Sequence, residues 1–197
     1  MTNPEDIADF ILERFYINRI TDKIEMVRDN QARPGEEGGM RRVTGLNTDK
    51  QGHVNYFAGT NHRSHEIRNE KVHAVQRALK KPEMFGDDEG DVLVVGWGSA
   101  KGAIDEGVNL CRAEGLHVSG LHLKIVYPLP LMLKDIFSKF KKVVTVEVAY
   151  GDDLKPAPLA TLLRAYTLVD IHGAITRATG RPLTPKGVAA KIRELLK

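Results

Sequence analysis

The sequence predicts an α/β fold with a mostly parallel sheet and helices on both faces. After residue 91, short apolar strand-forming runs alternate with helix-like runs. Strands that alternate with helices at this interval build parallel sheets, because each helix returns the chain to the same end of the sheet. The first of these apolar runs also ends in three glycines within seven positions, VLVVGWGSAKG, a pattern typical of a tight turn between a buried strand and a helix.

The chain is predicted to begin with a helix over residues 3–17. Asn3 can cap its first turn, and Pro4 suits the first helical position. One face of this helix is apolar, because hydrophobic residues recur at helical spacing. They are Ile7, Phe10, Ile11 and Phe15. The polar, glycine-rich residues 29–40 that follow are predicted as a mobile loop.

A small hairpin and a helix are predicted next. Residues 41–57 contain two short strand-forming runs around a turn rich in Asn, Asp and Gly. Residues 62–81 have helical periodicity. Residues 82–91 are predicted as a linker, which divides the chain into an N-terminal segment of residues 1–81 and an α/β domain of residues 92–197.

The α/β domain is predicted to contain four strands and four helices. The strands are expected at 92–96, 117–126, 143–148 and 168–173. The helices are expected at 100–114, 130–140, 153–165 and 184–196. Thr184 can cap the last helix, and Pro185 suits its first position.

The composition indicates an ordinary protein of the reducing cytoplasm. A chain of 197 residues can bury about 70% of its unfolded surface and needs no disulfides. The single cysteine, Cys111, excludes a cysteine-ligated iron–sulfur cluster or zinc ribbon within the chain. No apolar run approaches the ~18 residues of a membrane span. A net charge of +3 gives no argument for nucleic acid.

The glycine turn matches a dinucleotide-binding fingerprint only in part. Gly96 and Gly98 occupy the first two glycine positions, but Lys101 takes the third and Gly102 comes one place late. The second strand also lacks the acid that would hold a ribose. Ser99 can cap the following helix, whose bare amides can attract an anion. A structural turn is therefore favoured, with nucleotide binding or contact with a partner subunit as alternatives.

The histidines and the basic helix predict no metal or nucleic-acid site. His62, His65 and His73 lack an HExxH pattern and the further ligands that zinc requires. The basic residues of helix 62–81 alternate with glutamates and have no aromatic neighbours, unlike a nucleic-acid surface.

Glu147 is the most interesting ionisable residue. It ends the third predicted strand, and open α/β sheets bind ligands at the carboxyl ends of their strands. It can serve as an acid/base group, position a neighbouring subunit, or cap the backbone amides of the loop 149–153.

Taken together, the sequence resembles the C-terminal part of the alpha subunit of 2-oxoacid:ferredoxin oxidoreductases, best of the 2-oxoglutarate type. The motifs GWGS, YPLP and GRPLTP, with the glutamate at the strand end, occur in the family's order. The similar stretches are 44–79, 91–130, 141–148 and 166–188, and the resemblance covers roughly residues 20–197. Two features depart from the family: no long thiamine-binding domain precedes this region, and VAYGDDL follows where the family tends to have asparagines and Gly-Gln-Leu.

The resemblance implies a transketolase C-terminal-like domain of a complex that oxidatively decarboxylates a 2-oxoacid such as 2-oxoglutarate. The whole complex would use thiamine diphosphate, magnesium, an iron–sulfur cluster and coenzyme A, and would pass electrons to ferredoxin. This chain is expected to hold none of these and to have no catalytic residue. Gly96, Gly98, Ser99 and Glu147 are its candidate partner-facing or ligand-facing residues.

The resemblance further implies assembly with a thiamine-binding alpha domain and the beta subunit, and a homodimer is expected. Two alternatives remain: a free-standing nucleotide-binding or small-ligand-binding domain, and a non-catalytic scaffold or regulatory protein.

Overall fold

The computed structural model describes residues 35, 37–38, 44–49, 52–152 and 154–197. The predicted helix 3–17 and most of the predicted loop 29–40 lie outside these residues. The chain divides into two compact units, Met1–Ala78 and Leu79–Lys197, so the division falls just before the predicted linker.

In the described part of the first unit, the predicted hairpin is reduced to a single antiparallel bridge between Thr48 and Val54. The amide of Asn55 donates to the carbonyl of Asn47 at 3.0 Å beside it. Helix α1 follows as Ala58–Ala78, so it begins earlier than the predicted residue 62.

Helix α1 has no buried residue. Its charged side chains pair along the helix surface, Arg63 with Glu66 and Arg77 with Glu70. Ion pairs of this kind are common on exposed helix surfaces.

The second unit is a five-stranded sheet with helices. Its strands are β1 Met84–Phe85, β2 Gly90–Trp97, β3 Val118–Leu123, β4 Phe140–Glu147 and β5 Gly173–Thr176. Its helices are α2 Lys101–Arg112, α3 Leu133–Phe137, α4 Pro158–Thr167 and α5 Pro185–Leu195. The strand order is β1-β3-β2-β4-β5. Only β1 is antiparallel to its neighbour, and it lies inside the stretch predicted as a linker.

The sheet carries a buried layer on each face, as side-chain alternation along a strand requires. Leu93 and Val95 of β2 pack in one cluster with residues of α3 and α4. Val92 and Val94 pack in the other cluster with residues of α2 and α5. The predicted α/β class, with a mostly parallel sheet and helices on both faces, is therefore confirmed.

The prediction of the last strand was wrong in position. Residues 168–172 form an irregular connection, and β5 begins only at Gly173. Leu168 takes a left-handed conformation with φ 57° at the end of α4, and its amide donates to the carbonyl of Arg164. Ile171 is fully buried in this connection, which explains why the apolar sequence here was predicted as a strand.

The last helix confirms its predicted start. The hydroxyl of Thr184 accepts a hydrogen bond from the amide of Gly187 at 3.2 Å, and Pro185 is the first helical residue. Among the helices of the described residues, none is both long and apolar enough to cross a bilayer.

Candidate functional site

The candidate residues lie at the carboxyl ends of two adjacent strands whose following helices pack on opposite faces of the sheet. Helix α2 leaves β2 toward one face, while α4 leaves the adjacent β4 toward the other. Gly96 pairs with Val146 in this part of the sheet. The turn with Gly98 and Ser99 therefore lies beside Glu147. Open α/β sheets place their ligands at such a switch point.

The glycines of the turn are explained by backbone geometry and packing. A Cβ atom on Gly96 would overlap the Ile104 side chain and lie 3.3 Å from the carbonyl oxygen of Val146. Gly98 has φ 56° and open space around it. Gly96 thus lets α2 pack closely on the sheet, and Gly98 allows a left-handed backbone conformation that other residues rarely adopt.

We expect Gly98→Ala to lower the free energy of unfolding by about 1 kcal/mol, because alanine is strained at this φ. Gly98→Asn should cost less, since asparagine tolerates the left-handed region. Gly102→Ala is the matched control: it lies in α2 with nothing near its added Cβ, so it should be neutral or stabilising. Urea unfolding measures all three, and equal stability of the two alanine variants would contradict this explanation.

A hydrogen bond from the His122 side chain joins strand β3 to the turn. Its Nε2 atom lies 3.0 Å from the carbonyl oxygen of Gly98. Because a carbonyl only accepts, the ring donates through Nε2, and Nδ1 remains as a buried atom without a partner among the described residues. The sequence gave no sign of this contact, which joins residues 24 positions apart.

Ser99 does not cap the helix as the sequence suggested. It lies inside a short 3₁₀ turn, Gly98–Ala100, and the residue that precedes α2 is Ala100, with no side-chain cap. Lys101, which replaces the third fingerprint glycine, pairs with Asp105 one turn along α2.

Glu147 caps helix α4 from inside the protein. The residue is 2% exposed. One oxygen, Oε2, accepts from the amide of Leu159 at 2.7 Å. The other, Oε1, accepts from the amide of Ala160 at 3.1 Å and from the Thr145 hydroxyl at 2.8 Å.

The amides that Glu147 caps belong to the first turn of α4, not to the predicted loop 149–153. The residue before the helix, Ala157, provides no side-chain cap, so Glu147 performs that role from the neighbouring strand. A negative charge is favourable at this end of the helix dipole. The geometry supports a structural role and presents no free carboxylate to a ligand.

The loop after β4 is organised by Asp152. Its carboxylate accepts from the amides of Leu154 and Lys155 and from the Tyr150 hydroxyl, at 2.7 to 2.9 Å. The Tyr150 hydrogen bond, followed by these amides, lowers the pKa of Asp152. The same hydrogen bond raises the pKa of Tyr150.

A cleft of about 410 Å³ lies between this loop, α4 and β5. Small residues form much of its lining, and its polar side chains are Asp152, Arg164 and Thr176. All three have partners within the protein: Asp152 in the loop, Arg164 with Asp170 and the Ile171 carbonyl, and Thr176 with the Gly151 carbonyl. Within the described residues, no group of three or more His, Cys, Asp or Glu side chains is placed to hold a metal.

No family model matches the chain, but comparison with known proteins gives relatives. The chain is 28% identical over 167 residues to 2-oxoglutarate oxidoreductase subunit KorA of Mycobacterium tuberculosis, covering 83% of this chain and 24% of the relative. It is 29% identical over 155 residues to the alpha subunit of 2-oxoacid:ferredoxin oxidoreductase 1 of Aeropyrum pernix, covering 74% and 23%.

Among solved structures, the chain is similar to 2-oxoglutarate:ferredoxin oxidoreductase from Magnetococcus marinus, which was solved with 2-oxoglutarate, coenzyme A and succinyl-CoA bound. The identity is 28% and the TM-score 0.73, over 84% of this chain and 28% of that one. The chain thus spans about a quarter of the length of the proteins it matches.

Proposed function

We propose that this homologue of 2-oxoacid:ferredoxin oxidoreductase alpha subunits acts as the C-terminal domain of such a subunit. The observation that carries the proposal is the similarity to the Magnetococcus marinus enzyme, at TM-score 0.73 over 84% of the chain. The complex would oxidise a 2-oxoacid such as 2-oxoglutarate to an acyl-CoA in the cytoplasm and reduce ferredoxin.

In this proposal the chain contributes assembly rather than catalytic groups. Glu147 is used in capping α4, and Gly96 and Gly98 are accounted for by close packing and backbone geometry. The described residues do not fit thiamine diphosphate with magnesium, because they offer no cluster of acidic or other metal-binding side chains. They do not fit an iron–sulfur cluster either, since the single cysteine, Cys111, is buried.

The cofactors would therefore be held by other parts of the complex. Thiamine diphosphate and magnesium would lie with the thiamine-binding alpha domain and the beta subunit. The iron–sulfur cluster, coenzyme A and the contact with ferredoxin would also lie outside this chain. We further propose that the chain forms a homodimer, most simply a twofold one, because that symmetry is the commonest in homo-oligomers.

Co-purification tests the proposal. We expect the tagged chain to retain a thiamine-binding alpha domain and a beta subunit from the same organism in constant stoichiometry through gel filtration. An unrelated α/β protein with the same tag is the control. Isolation of the chain free of both partners, after co-expression in which each partner is soluble, would contradict the proposal. A rise in melting temperature with NADH or ATP would instead favour a nucleotide-binding domain.

A further inference from the structure

The carboxyl edge of the sheet carries an exposed apolar surface. Its side chains come from the last residue of β2 and from the loops that follow β3 and β4. We call it the carboxyl-edge surface, and its members are Trp97, Tyr127, Val148, Tyr150 and Leu154. Single exposed hydrophobic residues are ordinary, but several on neighbouring loops at one edge are typical of an interaction site.

The side chains of this surface are presented by ordered parts of the fold. Leu154 is 96% exposed, yet its amide is held by the carboxylate of Asp152. Tyr150 is bound to the same carboxylate through its hydroxyl. Trp97 is the last residue of β2 and is 49% exposed. Tryptophan and tyrosine are the residues most enriched among those that dominate binding energy at protein interfaces.

Positive charge flanks the carboxyl-edge surface. Lys124 follows Leu123, which pairs with Trp97 in the sheet. Arg177 lies on the other side, where its amide donates to the carbonyl of Glu147. Among the described residues neither side chain has an acidic partner, and Asp152 is already engaged by Tyr150 and two amides. The complementary surface is therefore apolar at its centre and acidic at its rim.

We propose that the carboxyl-edge surface docks onto the thiamine-binding part of the alpha subunit, through a face of that part with an apolar centre and an acidic rim. This inference rests on the proposed function. About three quarters of the length of the relatives lies outside the matched region, so in those proteins a large remainder of the same polypeptide accompanies the matched part. Two flanking cations are too few for a nucleic-acid surface, which requires a basic stripe.

The single tryptophan of the chain allows docking to be observed at the surface itself. The 197-residue chain labelled with 5-fluorotryptophan should give one ¹⁹F signal, from Trp97. Addition of the unlabelled thiamine-binding alpha domain of the same organism should shift or broaden that signal. Poly-dT of the same concentration should leave it unchanged.

Matched variants test which edge of the sheet binds. Leu154→Asp should weaken binding about tenfold or more, as loss of a central apolar contact does. Leu168→Asp is its control, because Leu168 is also exposed but lies at the opposite edge, after α4.

Lys124→Glu should weaken binding more at low salt than at high salt, since exposed charges are screened. Lys139→Glu, just before β4, is the control for charge reversal.

Binding is measured by isothermal titration calorimetry, and a melting curve for each variant shows that it is folded. A complex that forms without any change in the Trp97 signal overturns the docking assignment and leaves the proposed function intact. Equal affinities of the Leu154→Asp and Leu168→Asp variants also overturn the assignment. If the wild-type chain binds no thiamine-binding domain, both the inference and the proposed function fail. A shift of the signal by poly-dT overturns the choice of a protein partner.

Discussion

Replacing Glu147 with alanine should lower the free energy of unfolding by about 4 kcal/mol. Glu147 is 2% exposed, and its carboxylate accepts three hydrogen bonds. Its removal leaves the amides of Leu159 and Ala160 and the hydroxyl of Thr145 without an acceptor. Each unsatisfied buried donor costs about 1–3 kcal/mol, and water entering the vacated space recovers part of this cost.

Glu147→Gln should cost less, about 2 kcal/mol, because one amide oxygen can still accept. The new –NH₂ group would face an N–H or O–H group that can only donate to it, and the favourable negative charge at the N-terminus of α4 would be lost. Glu106→Ala is the matched control, since Glu106 is exposed on α2 and should change stability by less than about 0.5 kcal/mol. Urea unfolding measures the series. A loss below 1 kcal/mol for Glu147→Ala would show that the carboxylate does not hold the helix.

Local signals in the sequence predicted the elements whose stabilising contacts are close along the chain. The start of α5 depends on Thr184, Pro185 and Gly187, which are within three positions of one another. The turn after β2 depends on two glycines and one adjacent helix residue. Apolar runs predicted β2 and β4 well because these strands are central and buried on both faces.

Other features depend on contacts that the order of residues does not reveal. The apolar residues 168–172 form a connection because Leu168 ends α4 in a left-handed conformation and Ile171 fills the core without joining a ladder. Met84 and Phe85 form a strand only because residues of β3 are available to pair with them. Their two-residue length gives no periodic signal.

For Glu147, the sequence indicated the position in the sheet but not the groups that the carboxylate contacts. The position of Glu147 at the end of a strand was visible in the sequence. The amides that it accepts from, those of Leu159 and Ala160, lie 12 and 13 residues away along the chain. Because nearly every residue has a backbone amide, the sequence does not show which ones the carboxylate binds. The exposure of Leu154 was equally hidden, because an exposed leucine and a buried one look the same in a sequence.

The largest effect we predict concerns turnover, and it follows from what the described residues lack. Decarboxylation of a 2-oxoacid requires a cofactor that stabilises a carbanion, and thiamine diphosphate supplies that chemistry. The described residues of this chain provide neither a metal-binding cluster nor a free carboxylate at the sheet edge. Under the proposed function, this domain would contribute to catalysis by completing and positioning the parts that hold the cofactor, an effect that can reach several powers of ten.

An assay in which 2-oxoglutarate is oxidised in the presence of coenzyme A, with a dye as the electron acceptor, tests the central claim most directly. The chain alone should give no turnover above the buffer. The thiamine-binding alpha domain with the beta subunit should be poorly active without the chain. Addition of the chain at equal concentration should raise the rate of dye reduction about a hundredfold or more. The Leu168→Asp variant should restore the rate as the wild type does. Turnover by the isolated chain, or an equal rate of the partner chains with and without it, would contradict the account.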